Sequence, residues 1–239
     1  MRNTLAVARK DLREFFDAPA AYIVVVVFLL VAGWMFFSQL FLFDRADARA
    51  LFAPSPFSPS MLVVILAPAV AMRLIAEERK TGTIELLTTL PITDGQVILG
   101  KFLAAFVLLA VALGLTVVYP VTVSLIGPLD WGPVISGYVG MLLFAGSLLA
   151  VGLACSTLTE SQIVAFIVGF IVCAVLYYVY WLQFFMPRGI APIVEFLSVS
   201  FHLDNMARGV IDSRDVVYYV SLTAAALIVA VRSLSRQHA

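Results

Sequence analysis

Six stretches of the chain are apolar over roughly the length that a helix needs to cross a bilayer, and short charged segments separate them. A hydrocarbon core calls for about 20 such residues. The runs are Tyr22–Phe43, Met61–Ala76, Phe102–Ile126, Val134–Leu158, Ile163–Phe185 and Val216–Val231. The second is short, is broken by Pro68 and carries Arg73 near its end; the third contains Pro120. In lipid every backbone polar group must be bonded internally, and no barrel-type alternation is visible, so the runs are predicted as helices. The first run is too long for a signal peptide, and Phe43-Asp44-Arg45 follows it in place of a small-residue cleavage site. The expected fold is all-α: one polytopic domain over residues 1–239 with six transmembrane helices.

The segments between the runs have patterns of their own. Over residues 1–20, Leu5, Ala8, Leu12, Phe15 and Phe16 recur at helical spacing, with Arg2, Arg9, Arg13 and Asp17 mostly opposite. This predicts a helix lying in the membrane interface, the alternative being a charged leader that only sets topology. Residues 77–101 form the longest polar loop. Glu77, Glu78, Arg79 and Lys80 continue the second span into water, and Gly82 breaks the direction. Thr83 can cap a short helix whose Ile84, Leu87 and Leu86 form an apolar face beside Glu85, ending at Pro91. Such a helix suits docking on a partner; a solvated turn is the alternative. Thr93 and Gln96 match a capping box for the third span, with Asp94 in its first turn. In residues 186–215, apolar Phe196, Leu197, Phe201, Leu203, Met206, Val210 and Ile211 alternate with His202, Asp204, Arg208, Asp212, Arg214 and Asp215. One or two short helices half-inserted in the outer leaflet satisfy that mixture, with Arg208 paired to Asp204 or Asp212 and Gly209 as the break. The bland alternative is a plain loop.

Composition agrees with the pattern. Hydrophobic residues make up 62% and charged residues 13% of the chain, against about 45–50% and about 25% in soluble domains. Mean hydropathy is +1.04. Net charge is zero, which gives no reason to expect a nucleic-acid partner. Lysine and arginine set the orientation. With the N-terminus inside, that side collects Arg2, Arg9, Lys10, Arg13, Arg73, Arg79, Lys80, Lys101, Arg232 and Arg236. The other side has Arg45, Arg49, Arg188, Arg208 and Arg214. Both termini are therefore expected in the cytoplasm.

Candidate chemistry is sparse. Cys155 and Cys173 lie within apolar runs and read as buried small residues; no HExxH or CxxC occurs, and no metal or cofactor is expected on this chain. Ser147 and Ser156 have no charged or histidine partner in their runs, so an intramembrane hydrolase is not indicated. Gly95 to Lys101 matches GxxxxGK, but Phe102 stands where the hydroxyl belongs and no strand precedes it. Lys101 then reads as an anchor at a helix end. His202 could be a ligand or a proton site, and a lone histidine is more often structural. Gly146, Ala150 and Ala154 repeat small-xxx-small spacing, which lets another helix approach closely, in this chain or in a second copy. Between Phe102 and Leu129, and again between Trp131 and Thr159, there is no charged residue, which disfavours an ion-coupled carrier.

The loop Glu77-Glu-Arg-Lys-Thr-Gly-Thr-Ile-Glu-Leu-Leu-Thr-Thr-Leu-Pro-Ile92 resembles the coupling-helix segment of type-2 ABC exporter permeases. Ala8-Arg-Lys-Asp-Leu-Arg-Glu-Phe-Phe-Asp-Ala-Pro19, which includes Arg9, Lys10, Asp11, Leu12 and Phe15, resembles their interface helix, with Lys10-Asp11 where the family has Lys-Glu. The segment from His202 to Tyr219 is similar to the subgroup of the gliding-motility-associated and nitrous-oxide-reductase-maturation permeases. The resemblance implies a non-enzymatic permease subunit in a bacterial inner membrane. It implies a second permease copy and two separate ATPase subunits that carry ATP and magnesium. An auxiliary membrane protein with an outer domain often accompanies that subgroup. Export and substrate-free mechanical transmission both remain open. The purified chain is expected to show no ATP binding by filter assay; tight binding lost on Lys101→Ala would overturn that.

Overall fold

The computed structural model describes residues 2–43, 47–82, 92–182 and 191–236. Among them are eleven helices and no strand. The chain runs through α1 (Arg2–Asp17), α2 (Pro19–Phe43), α3 (Arg49–Phe52), α4 (Pro59–Lys80), α5 (Asp94–Leu115) and α6 (Val118–Ile126). It continues through α7 (Trp131–Ser156), α8 (Gln162–Leu182), α9 (Ala191–Leu197), α10 (Val199–Ala207) and α11 (Ser213–Ser235). Six of these units, with α5 and α6 counted together, are long and apolar enough to cross a membrane. The protein is an all-α, multi-pass membrane protein. The expected end of the fifth span, residues 183–185, lies outside the described residues.

Two spans differ from expectation. α4 is neither short nor interrupted: it covers 22 residues and passes through Pro68. A proline inside a helix removes one hydrogen bond and crowds the carbonyl four residues back. Gly152 and Gly169 pack directly against this proline, filling the space around it. The helix of the third span begins at Asp94, as the Thr93–Gln96 capping box implies, and the Gln96 side chain accepts from the Thr93 amide at 3.4 Å. It breaks at Thr116–Val117, four residues before Pro120, whose ring crowds the Thr116 carbonyl and offers it no N–H. The Thr116 hydroxyl turns back to donate to the Leu113 carbonyl at 2.6 Å and bonds the Tyr138 hydroxyl at 2.9 Å. Pro120 then falls in the first turn of α6, where a missing N–H costs nothing. The combined span has 33 residues, or about 50 Å at 1.5 Å each. A hydrocarbon core is about 30 Å thick, so the first turns of α5 project from it.

α7 is the axis of the bundle: 83% of its most apolar stretch is buried, against 17% for α2. Small residues let its neighbours come close. A Cβ built on Gly137 would lie 2.4 Å from the Phe52 ring, and one on Gly140 would lie 2.8 Å from Met206. Gly146 faces Phe106 of α5, so the small-residue repeat serves an internal helix. Ser156 reaches α4, where its hydroxyl donates to the Met72 carbonyl at 3.1 Å and accepts from the Ala76 amide at 3.2 Å. Ser147 donates to the Phe144 carbonyl at 2.8 Å. Both serines are bonded to backbone.

A Cβ added at Gly152 would lie 2.9 Å from Ala71 Cβ and 3.2 Å from Pro68 Cα, whereas one on Gly114 meets nothing within 4 Å. Gly152→Val should therefore destabilise the protein by about 1–3 kcal/mol. Thermal unfolding in detergent should show a lowered midpoint for Gly152→Val and little change for Gly114→Val. Equal midpoints would contradict this packing.

Candidate functional site

One end of the bundle gathers α1, the C-terminal end of α4, the N-terminal end of α5 and the C-terminal end of α11. The Ser235 hydroxyl donates to Asp94 Oδ2 at 2.6 Å, joining α11 to α5. α1 crosses α5 at Gly100, where an added Cβ would sit 2.8 Å from Val7 and 2.9 Å from the Thr4 carbonyl. The next residue, Lys101, is buried with 2% exposure. Its Nζ lies 2.7 Å from Glu78 Oε1 and 3.2 Å from Asp11 Oδ2. Asp11 is itself buried.

This cluster corrects two expectations. Lys101 is not a surface anchor: it ties three helices together. The buried face of α1 is formed by Val7, Ala8, Asp11, Leu12 and Phe15, while Leu5 is 64% exposed. Arg9 and Lys10 point away from the bundle with Arg13. The missed signal was Asp11, an acidic residue among the apolar positions of an amphipathic helix. The GxxxxGK match is explained by packing. Gly100 permits the crossing of α1, and Lys101 supplies the buried cation. No strand precedes them among the described residues, and α5 runs through the whole motif.

Glu77, Glu78 and Arg79 end α4. Gly82 follows with φ +72°, a left-handed turn that glycine adopts without strain. Thr83, Ile84, Glu85, Leu86, Leu87 and Pro91 lie outside the described residues. The cluster brackets that segment, because Glu78 precedes it and Lys101 follows it. An ammonium between carboxylates in a dry site makes short charge-assisted contacts, and each partner depends on the others to offset its desolvation. The three helix ends are thereby held as one unit.

At the opposite end, α9 and α10 form within residues 186–215. Gly209, with φ +95°, turns the chain against Pro133 after α10. Arg208 pairs with Asp204 one helical turn away. Asp212 caps α11 by accepting from the Arg214 amide at 2.9 Å. α10 does not offer its apolar face to lipid. Val199, Leu203 and Met206 are fully buried in the bundle. The Ser136 hydroxyl donates to the Met206 carbonyl at 2.8 Å, and Tyr219 donates to the Val199 carbonyl at 2.6 Å. Tyr218 donates to the Leu197 carbonyl at 2.6 Å.

His202 sits at the centre of this end, 1% exposed. Its Nε2 is 3.0 Å from the Phe196 carbonyl, which can only accept, so that nitrogen carries hydrogen. Its Nδ1 is 2.6 Å from Asp215 Oδ1, so one proton is held between ring and carboxyl. Tyr218 stacks on the imidazole at a centroid distance of 3.9 Å. His202 and Asp215 thus join α10 to α11. Their distance of 13 positions along the chain hid the pair from spacing arguments.

Removing the buried cation should cost about 3–5 kcal/mol, because two carboxylates are left facing each other. Lys101→Met is expected to melt well below the parent protein. The triple variant Lys101→Met/Asp11→Asn/Glu78→Gln should recover most of the loss in the same fluorescence melt. A single variant as stable as the parent would remove the structural role assigned to this cluster.

Residues 5–191 match the profile of the ABC-2 family transporter proteins. The match takes in α1, the buried cluster and the loop it brackets, and it stops where α9 begins. No curated protein matches the chain in sequence.

Proposed function

The chain belongs to the ABC-2 transporter family, and from that premise we propose that it is the permease subunit driven by a separate ABC ATPase through residues 77–92. The family's membrane subunits are not themselves catalytic. In this reading two ATPase copies carry ATP and magnesium, and a second copy of the permease completes the membrane unit. The assembly sits in a bacterial inner membrane with both termini in the cytoplasm.

The observation that carries the reading is the position of the Asp11–Lys101–Glu78 cluster. It joins both ends of the loop and the N-terminal helix. A push on the loop then moves α4, α5 and α1 together rather than being lost in one hinge. The motion reaches α7 through the Gly152 contact with Pro68 and Ala71 and through the Ser156 bridge. At the far end, α10 and α11 are packed on α7 and take up the displacement.

Two finer points belong to the same proposal. The resemblance of His202 to Tyr219 to the gliding-motility and nitrous-oxide-reductase-maturation permeases suggests an auxiliary membrane protein on the outer side. Leu197, Val210 and Ile211 are more than half exposed there and supply an apolar seat. The same drive serves export or mechanical work, and ligand-stimulated ATPase activity in liposomes distinguishes the two.

Glu85→Arg should leave membrane insertion intact and uncouple ATP hydrolysis from function in the reconstituted complex. Co-purification of the ATPase with Glu85→Arg and with Gly82→Pro measures docking directly. Full activity and full ATPase recovery in both variants would exclude this loop as the contact.

A further inference from the structure

Beside the buried cluster is a cleft that force transmission does not use. Its charged part is a cavity of about 180 Å³ between α1 and the end of α4, walled by Glu14, Arg73, Glu77 and the cluster itself. Its apolar part is a groove of about 110 Å³ lined by Ala21, Val24, Ala69, Val70 and Leu108. Phe15, Ala18 and Arg73 line both, so the two are continuous. Both walls change polarity in the same direction. One runs along α4 from Glu77 through Arg73 to Val70, about 10 Å at the helical rise. The other runs from Glu14 through Ala18 to Val24, out of α1 and into the first span. A charged mouth that leads into an apolar throat along a membrane span has the shape of an amphiphile with its tail in the bilayer.

The charges select the head. Arg73 is exposed on a membrane-spanning helix and makes no ion pair among the described residues, although Glu77 is one turn away. A cation at that depth is costly unless it reaches the interface or meets an anion, and guanidinium suits phosphate. Glu14 and Glu77 are also exposed and without an ion pair among the described residues. Four carboxylates and two cations line the cavity, so a purely anionic head meets net repulsion. A zwitterion with phosphate at Arg73 and ammonium at Glu14 and Glu77 satisfies both signs. A primary ammonium donates three hydrogen bonds, which a trimethylated one cannot.

We propose that this cleft binds one phospholipid with a primary-amine headgroup, of the phosphatidylethanolamine type, from the leaflet on the N-terminal side. The lipid contacts α1 and α4 together and so reinforces the joint that Lys101 makes. The site stands on its own lining and does not depend on the ATPase reading.

The test is native mass spectrometry of the delipidated full chain, offered phosphatidylethanolamine, phosphatidylcholine or phosphatidylglycerol with identical acyl chains. The parent protein should retain phosphatidylethanolamine over the other two. Arg73→Gln should weaken retention by roughly tenfold, the scale of one charged hydrogen bond. Glu14→Gln/Glu77→Gln should abolish the preference over phosphatidylcholine. These side chains are exposed, and a thermal melt checks that each variant is folded. If Arg73→Gln does not fold, the parent's headgroup preference and the glutamate pair decide the question. Equal retention of the three lipids, a preference for phosphatidylglycerol, or a folded Arg73→Gln that binds like the parent would each overturn the proposal.

Discussion

A lysine ammonium held between two carboxylates, out of water, is the contact on which the N-terminal end of the molecule depends. Lys101 is within 3.2 Å of Asp11 and 2.7 Å of Glu78, and each of the three comes from a different helix. Such a cluster gives little net stability, because desolvation consumes most of the Coulomb gain. What it does give is dependence. No one helix can leave without stranding a charge, so α1, α4 and α5 move together or not at all. Gly100 is the steric counterpart: without its missing side chain α1 could not come near enough for Asp11 to reach the lysine.

The middle of the molecule is organised differently. Around α7 the neighbours enter the gaps left at Gly137, Gly140, Gly146 and Gly152, with Phe52, Met206, Phe106 and the Ala71–Pro68 stretch of four different elements seated there. Water drives no helix association within a bilayer, so close packing and interhelical hydrogen bonds must supply it. The Ser156 bridge to Met72 and Ala76 is one such bond. A stiff axis of this kind passes displacement on rather than absorbing it.

The spans were legible because a long uncharged run admits one interpretation in lipid. Two of their ends were legible as well: Glu77 to Lys80 carry the second span's helix beyond the apolar run, and Thr93 and Gln96 cap the third. The break at Thr116 falls four residues before Pro120, where the proline offers the Thr116 carbonyl no N–H, and the Thr116 hydroxyl bonds the Leu113 carbonyl there. Asp11 and Lys101 were each visible as types, but their partnership spans 90 positions. The mixture of Phe201, Leu203 and Met206 with His202, Asp204 and Arg208 pointed to short helices. It could not say whether lipid or protein would cover the apolar side, since both impose the same period. The core of the candidate coupling helix, residues 83–91, is known from sequence alone.

The short helices at the opposite end are held largely by their main chain. Ser136, Tyr218 and Tyr219 stand on long helices and donate to the carbonyls of Met206, Leu197 and Val199. Every amino acid has a carbonyl, so this attachment does not depend on which side chain sits at the acceptor position. Surface positions such as Leu197, Val210 and Ile211 can therefore drift from one relative to another while the short helices keep their seat. The architecture separates what holds these helices in place from what they display.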